Sequence, residues 1–395
     1  MDKYDPTPNR NTQAGSNRAE APTPGNPTAS SHWRAFLNLV HPQQFKESVQ
    51  LAPQPSLRND FMAGLQTGLT AVIALTLAYL SPWSEMVGFA GLGALIALFA
   101  RHSSHWQRHW MLLLAAVIQT GMVFIMSSVA YLEWAAPLQL GLLSVVCGVL
   151  MFICSSTALG APGPLIFVFA AGACVGSEPN WPQVVDRTMV TGAAALLGWF
   201  ICLCTSIWRH VPKEEEASAQ IRPLHNRLVA ALRITIGACF AIFLVRYGFQ
   251  AHYPAWAAMG ALAVMQGAHL HLSMNRALQR MVGTTIGAVV AWFLLIQEPS
   301  IWTLIGVIGI FQLLTEIFIG SNYALGQMFI APMALLTMHL AAPWVSSAAM
   351  VPERVLDTVV GACIGMVIAV LFSSLDDRRF LAQLRGTASR GQQAH

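Results

Sequence analysis

RTMVTGAAALLG at residues 187–198 and RVLDTVVGACIG at residues 354–365 share one frame, Arg-x3-Thr-x6-Gly, 167 residues apart. At that offset Arg187 meets Arg354, Thr191 meets Thr358 and Gly198 meets Gly365. Working outward, Gly93-Ala94-Leu95 falls on Gly260-Ala261-Leu262, and Asn59 falls on Asn226. Ala and Leu coincidences are cheap in an apolar chain, but a shared Arg–Thr–Gly register at constant offset is not. Residues 58–208 and 227–374 therefore read as two copies of one unit. A duplicated multi-span membrane chain is an architecture of transporters and channels, with the path where the copies meet.

Composition points to the same class. Of 395 residues, 55% are hydrophobic and 10% charged, whereas a soluble domain carries about 25% charged. The apolar residues fall in blocks of about 20, the length that crosses ~30 Å of hydrocarbon as a helix. Period-two alternation is absent, which argues against a barrel. The expected fold is an all-α polytopic membrane protein with about twelve transmembrane helices in two parallel six-helix repeats. The first six spans are expected near 61–80, 86–100, 110–131, 137–157, 163–176 and 187–208. The second six are expected near 227–247, 254–270, 280–297, 301–320, 322–342 and 355–373. Those at 86–100 and 163–176 are short enough to be tilted or broken.

Charge sets the expected orientation. One set of loops holds Arg101, Arg108, Arg209, Lys213, Arg222, Arg276 and Arg280, and the tail adds Arg378, Arg379, Arg385 and Arg390. The other set holds Arg187, Arg246 and Arg354 at span ends. The positive-inside rule then puts both termini in the cytoplasm of a bacterial inner-membrane protein. An even number of spans per copy makes the copies parallel. Residues 1–57, rich in Pro, Ser, Asn, Thr and Gln, read as a disordered cytoplasmic segment, with a short surface helix expected over 32–49. Residues 209–226 form a charged cytoplasmic linker, and 375–395 a cytoplasmic tail.

The seven cysteines lie in apolar blocks without metal spacing. His102 and His269 coincide at the 167 offset, and His269-x-His271 does not align two ligands on one helix face, so no metal site is expected. Trp83, Trp181, Trp302 and Trp344 fall at expected outer boundaries, as belt anchors do. With no phosphate loop and no nucleophile constellation, the chain is not read as an enzyme or an ATP-driven pump. Nothing points to a cofactor or nucleic acid.

Residues 253–292 read YPAWAAMGALAVMQGAHLHLSMNRALQRMVGTTIGAVVAW. The start Tyr253-Pro254-x-Trp256, the basic loop and the run Arg280-x2-Gly283-Thr284-x2-Gly287 resemble the fusaric-acid-resistance family of membrane proteins. That family includes aromatic carboxylic acid exporters, and plant malate-conducting channels are more distant relatives. The match is strong over residues 227–292 and weak in the first half, which has no Arg corresponding to Arg280. Many exporters of the family carry a large cytoplasmic domain between their halves, and here the linker is short. The resemblance implies export of small, often aromatic, carboxylic acids, with a periplasmic adaptor as one partner.

The candidate site residues follow from both readings. Arg280 reads either as an anion-binding guanidinium beside a helix N-terminus or as a snorkelling loop charge. Thr284 and Trp256 would line the path with it, Trp256 stacking on an aromatic acid or simply packing. Arg233 and Glu316 are charges inside spans, which are costly and usually face a partner or a cavity. They would pair directly or flank the inner end of the path, with Glu316 as the coupling carboxylate. Arg187 and Arg354 would line an outer vestibule. Alternatively, Arg354 forms an i,i+3 pair with Asp357. The expected function is ion-gradient-driven export of small organic, aromatic carboxylates. An organic-anion channel and a protein acting on lipid-linked substrates are the alternatives. Substrate, lipid bilayer, an adaptor and a second copy of the chain are the partners considered.

Overall fold

The structure is a computed structural model, and it describes residues 48, 57–101, 103–157, 159–208, 223–267, 270–341 and 347–373. The segment 1–47, the surface helix expected over 32–49 apart from Ser48, and most of the linker lie outside the described residues. So do the tail, His102, His269 and Trp344. Among the described residues all regular structure is helical.

The first half comprises α1 (Leu57–Leu80), α2 (Val87–Ala94), α3 (His105–Tyr131), α4 (Ala136–Ser156), α5 (Leu165–Ala173) and α6 (Trp181–Cys204). The second comprises α7 (Leu224–Phe243), α8 (Ala255–Met265), α9 (Leu270–Leu295), α10 (Ile301–Ile319), α11 (Tyr323–Ala341) and α12 (Ser347–Leu371). Among the described residues nine of these are long and apolar enough to cross a membrane. The other three, α2, α5 and α8, have 8, 9 and 11 residues. At ~1.5 Å per residue they cannot cross ~30 Å. Every residue of α2 and α8 is buried, which suits backbone ends inside a membrane protein, because protein rather than lipid must satisfy them. The span expected at 254–270 is thus shortened: it starts after Pro254 and stops at Gln266, on a cavity wall.

Local chemistry explains the boundaries. Asn180 and Gln183 form a capping box at the start of α6, with Pro182 in its first turn, and Ser300 caps α10. Before α5 the chain turns through Gly160 and Gly163, both at positive φ (66° and 70°), a conformation glycine adopts at no steric cost. Four helices begin well before the expected spans: α3 at His105, α6 at Trp181, α9 at Leu270 and α12 at Ser347. The expected spans began at or just after a charge, whereas these helices carry their charges inward. Arg108, Arg187, Arg280 and Arg354 are each no more than 6% exposed.

Several positions 167 apart make matching contacts. A Cβ on Gly93 would meet the Thr191 carbonyl oxygen at 2.3 Å, and one on Gly260 would meet that of Thr358 at 3.1 Å. The Arg187 guanidinium lies over Phe89 and that of Arg354 over Trp256, each 5.0 Å from the ring centre. Across the halves the packing is reciprocal: α1 lies on α10 and α7 on α4, while α2 touches α11 and α8 touches α5. Gly88 of α2 packs against Ala341, and its counterpart Ala255 packs against Gly172.

Candidate functional site

A cavity of about 590 Å³ opens where the first half closes over the second. Its polar wall comes from α9 (Arg276, Arg280), α10 (Gln312, Glu316), α11 (Tyr323, Gln327) and Arg354 of α12. The first half contributes Leu95, Leu98 and Arg101 from the end of α2 and the turn after it, and Pro162, Ile166 and Phe169 around α5. Met259, Met333 and Ile330 add apolar surface. Drug-sized ligands occupy pockets of roughly 300–1,000 Å³ with this kind of lining.

Arg280 is 2% exposed. Its Nη1 donates to the Tyr323 hydroxyl at 3.1 Å, while Nε and Nη2 have no hydrogen-bond partner. Arg354 is fully buried, and none of its three guanidinium nitrogens has a hydrogen-bond partner. Gln312 has both amide atoms unpartnered, and Gln327 keeps a free Oε1. Buried polar groups are normally satisfied, and these unpartnered atoms, guanidinium donors foremost, lie on one cavity wall. Four arginines, Arg101, Arg276, Arg280 and Arg354, line the cavity with one carboxylate, that of Glu316. Such a wall attracts anions, and arginine forks match a carboxylate in two-pronged fashion.

The candidate residues divide. Arg280, Glu316 and Arg354 line the cavity together. Thr284 lies behind the wall, its Oγ1 accepting from Gln327 Nε2 at 3.2 Å, so it steadies a lining residue. Trp256 sits beneath Arg354 and stacks on Tyr253 at 4.8 Å between ring centres. Arg233 donates to the Met265 carbonyl at 2.8 Å, near the end of α8. Arg187 stays in the first half, donating to Ser177 Oγ at 2.9 Å.

Three expectations are corrected. The direct Arg233–Glu316 pair does not form: Glu316 binds Arg101 at 3.4 Å. Similar depth was the ground for pairing them, but α7 packs on α4 and α10 on α1, so the two helices belong to different seams. Arg280 is not at a helix N-terminus, since α9 begins ten residues earlier, so no free backbone N–H groups assist it. Arg354 and Asp357 make no hydrogen-bonded pair: both Asp357 oxygens are buried without a hydrogen-bond partner, and Arg354 extends over Trp256, although the two charges stay within electrostatic reach. Arg354 itself lies seven residues into α12, in the cavity wall rather than at a helix end.

Sequence reasoning missed Arg101, Arg276, Gln312, Tyr323 and Gln327. The arginines had been counted as loop charges. Gln312 and Gln327 carried a signal, being amides inside otherwise apolar blocks.

Comparison with known proteins bears out the resemblance. Residues 237–368 match the family described as fusaric acid resistance protein-like. That stretch contains both resemblance motifs and the α9–α12 wall of the cavity. Over 145 residues the chain is 31% identical to the uncharacterized membrane protein YvaC of Bacillus subtilis (strain 168). The alignment covers 36% of this chain and 23% of that relative, so the chain spans about a quarter of the relative's length. No solved structure matches the chain.

Proposed function

We propose that this membrane protein exports small organic anions, aromatic carboxylates among them, across a bacterial inner membrane, and that the cavity is where the anion binds. The observation that carries the proposal is the pair Arg280 and Arg354. Two buried guanidinium groups on one wall hold between them five nitrogens without a hydrogen-bond partner. Hydrogen bonds to charged groups are worth about 1.5–3 kcal/mol each, so a carboxylate that meets these donors gains affinity no neutral ligand can match. The apolar part of the wall, with Phe169 and Tyr323, suits an aromatic or aliphatic body behind the acid group.

The architecture proposed is a twelve-helix bundle of two parallel six-helix repeats with both termini cytoplasmic. Equivalent contacts at Gly93 and Gly260 and at Arg187 and Arg354 support the repeat, and so does the reciprocal packing of α1 on α10 and α7 on α4. The three short helices complete the count inside the protein. Export draws on an ion gradient, and for an anion leaving an inside-negative cell the potential alone supplies about 2.3 kcal/mol per 100 mV. Trp83, Trp181 and Trp302, all exposed near helix starts, fit anchoring at the membrane surface.

Transport by purified protein in vesicles tests the proposal, with a panel of aromatic and aliphatic carboxylates and matched neutral amides. Saturable movement of carboxylates but not amides is expected, and Arg280→Ala should cut it by about 10- to 100-fold. Steady anion current that follows only the anion gradient would make the protein a channel. No carboxylate movement by folded protein would remove the proposal.

A further inference from the structure

One ion pair on the cavity wall joins the two halves. Arg101 lies in the turn after α2 and Glu316 on α10, with Nη1 and Oε2 3.4 Å apart. Ala100, just before Arg101, has φ 54°, a left-handed turn that non-glycine residues adopt rarely. The backbone is bent there and carries Arg101 to the wall. Both side chains line the cavity, and Glu316 is only 4% exposed. The charges around Glu316 come from several elements packed near it, while α11 brings the Tyr323 hydroxyl to the same cavity. Arg101 comes from the turn, Asp60 from α1 and Arg108 from α3, all within electrostatic reach. Arg276 and Arg280 of α9 share the cavity. The pair has no counterpart in the other copy, where the position equivalent to Glu316 is Val149.

Resting on the reading of this cavity as the anion site, we propose that Arg101 and Glu316 form a proton-linked latch. Entry of one organic anion draws Arg101 away from Glu316, and Glu316 takes up one proton from water. The reason is competition in a space sheltered from solvent. An ionised Glu316 and a bound carboxylate repel each other, and both seek the Arg101 guanidinium. Adding a proton to a Glu316 oxygen removes the repulsion and releases Arg101 to the ligand. No bond other than that O–H forms or breaks, and nothing is oxidised or reduced. The loaded cavity then has the same net charge as the empty one: one anion has entered and one carboxylate has been neutralised. Loaded and empty forms therefore face similar electrostatic costs when the site changes its exposure across the membrane. Arg101 acts here as a binding residue that Glu316 holds in reserve.

The sign follows from linkage. Where Glu316 is ionised in the empty site, each anion bound takes up one proton, so Kd rises about tenfold per pH unit. At lower pH, where Glu316 is already neutral, Kd is flat. The test uses the purified full chain in detergent, with benzoate as the probe. Kd is measured from about pH 5.5 to 8.5, and proton uptake on binding is read with a dye in weak buffer. The wild type should show the sloping Kd and proton uptake approaching one per anion on the sloping limb. Glu316→Gln should bind as tightly as the wild type at low pH, with a flat profile and no proton uptake. Arg101→Gln should bind at least tenfold more weakly at low pH. Proton uptake is measured on the unaltered protein, so the test survives a variant that fails to fold. Wild type that binds benzoate with a flat Kd and takes up no proton overturns the latch and leaves the anion site standing. Wild type that binds neither benzoate nor any other carboxylate at any pH overturns the anion site, and the latch with it.

Discussion

Replacing Arg354 by methionine is expected to weaken binding of an aromatic carboxylate by about 100-fold, while the same change at Arg187 leaves it unchanged. The two residues stand 167 positions apart in one sequence frame and make the same cation–π contact, Arg354 5.0 Å from Trp256 and Arg187 5.0 Å from Phe89. They differ in what lies beyond the ring. Arg354 reaches the cavity with its guanidinium nitrogens unpartnered, whereas Arg187 donates to Ser177 and lines no part of the cavity. A role in packing alone would make the two substitutions equally harmful or equally mild. Arg354→Met should also lower the stability of the empty protein, because it leaves the buried Asp357 carboxylate without the cation in its electrostatic reach. Calorimetric titration and thermal unfolding of both variants in detergent read the two effects separately. Equal loss of affinity in both variants would contradict the assignment.

The second large effect falls on the helix crossings. Gly361→Val should destabilise the protein by about 3 kcal/mol or more, whereas Gly306→Ala should be neutral or slightly stabilising. A Cβ at Gly361 would stand 2.1 Å from the Ala257 carbonyl oxygen and 2.9 Å from its Cα. Those are backbone atoms of α8 and cannot rotate away. Close approach through small residues is a main source of helix association where lipid is as apolar as the side chains. At Gly306 a Cβ meets nothing within 4 Å, so alanine adds only helix propensity. Both can be followed by the thermal midpoint and the yield of monodisperse protein. A Gly361→Val protein that melts with the wild type would mean that α8 and α12 do not cross here.

Much of this fold can be read in the chain, because helices in lipid must be apolar and must follow one another across it. The 167-residue offset pointed to matching contacts, and such contacts are found at Gly93 and Gly260 and at Arg187 and Arg354. The starts of helices were less legible. A hydrophobic block stops at its first charge, but a helix that turns charges toward a cavity continues through them, as α9 does through Arg276 and Arg280. That difference also placed Arg354 at an expected mouth instead of in the cavity wall. The site's polarity could have been read from the 167-residue offset. The positions 167 before Arg280, Gln312 and Glu316 hold Leu113, Val145 and Val149. On the proposed repeat, residues polar at one position and aliphatic at its partner are not required by the packing. Arg101 was not legible, because its reach depends on the turn at Ala100.

The central claim is that an organic anion binds between Arg280 and Arg354. A structure of the purified protein in lipid nanodiscs with an iodinated benzoate tests it most directly, because iodine marks the ligand and the carboxylate marks its orientation. The account predicts ligand density in the cavity with the acid group against Arg280 and Arg354 and the ring toward Phe169 and Met333. Density for the ligand at another place, with this cavity empty at saturating concentration, would contradict it.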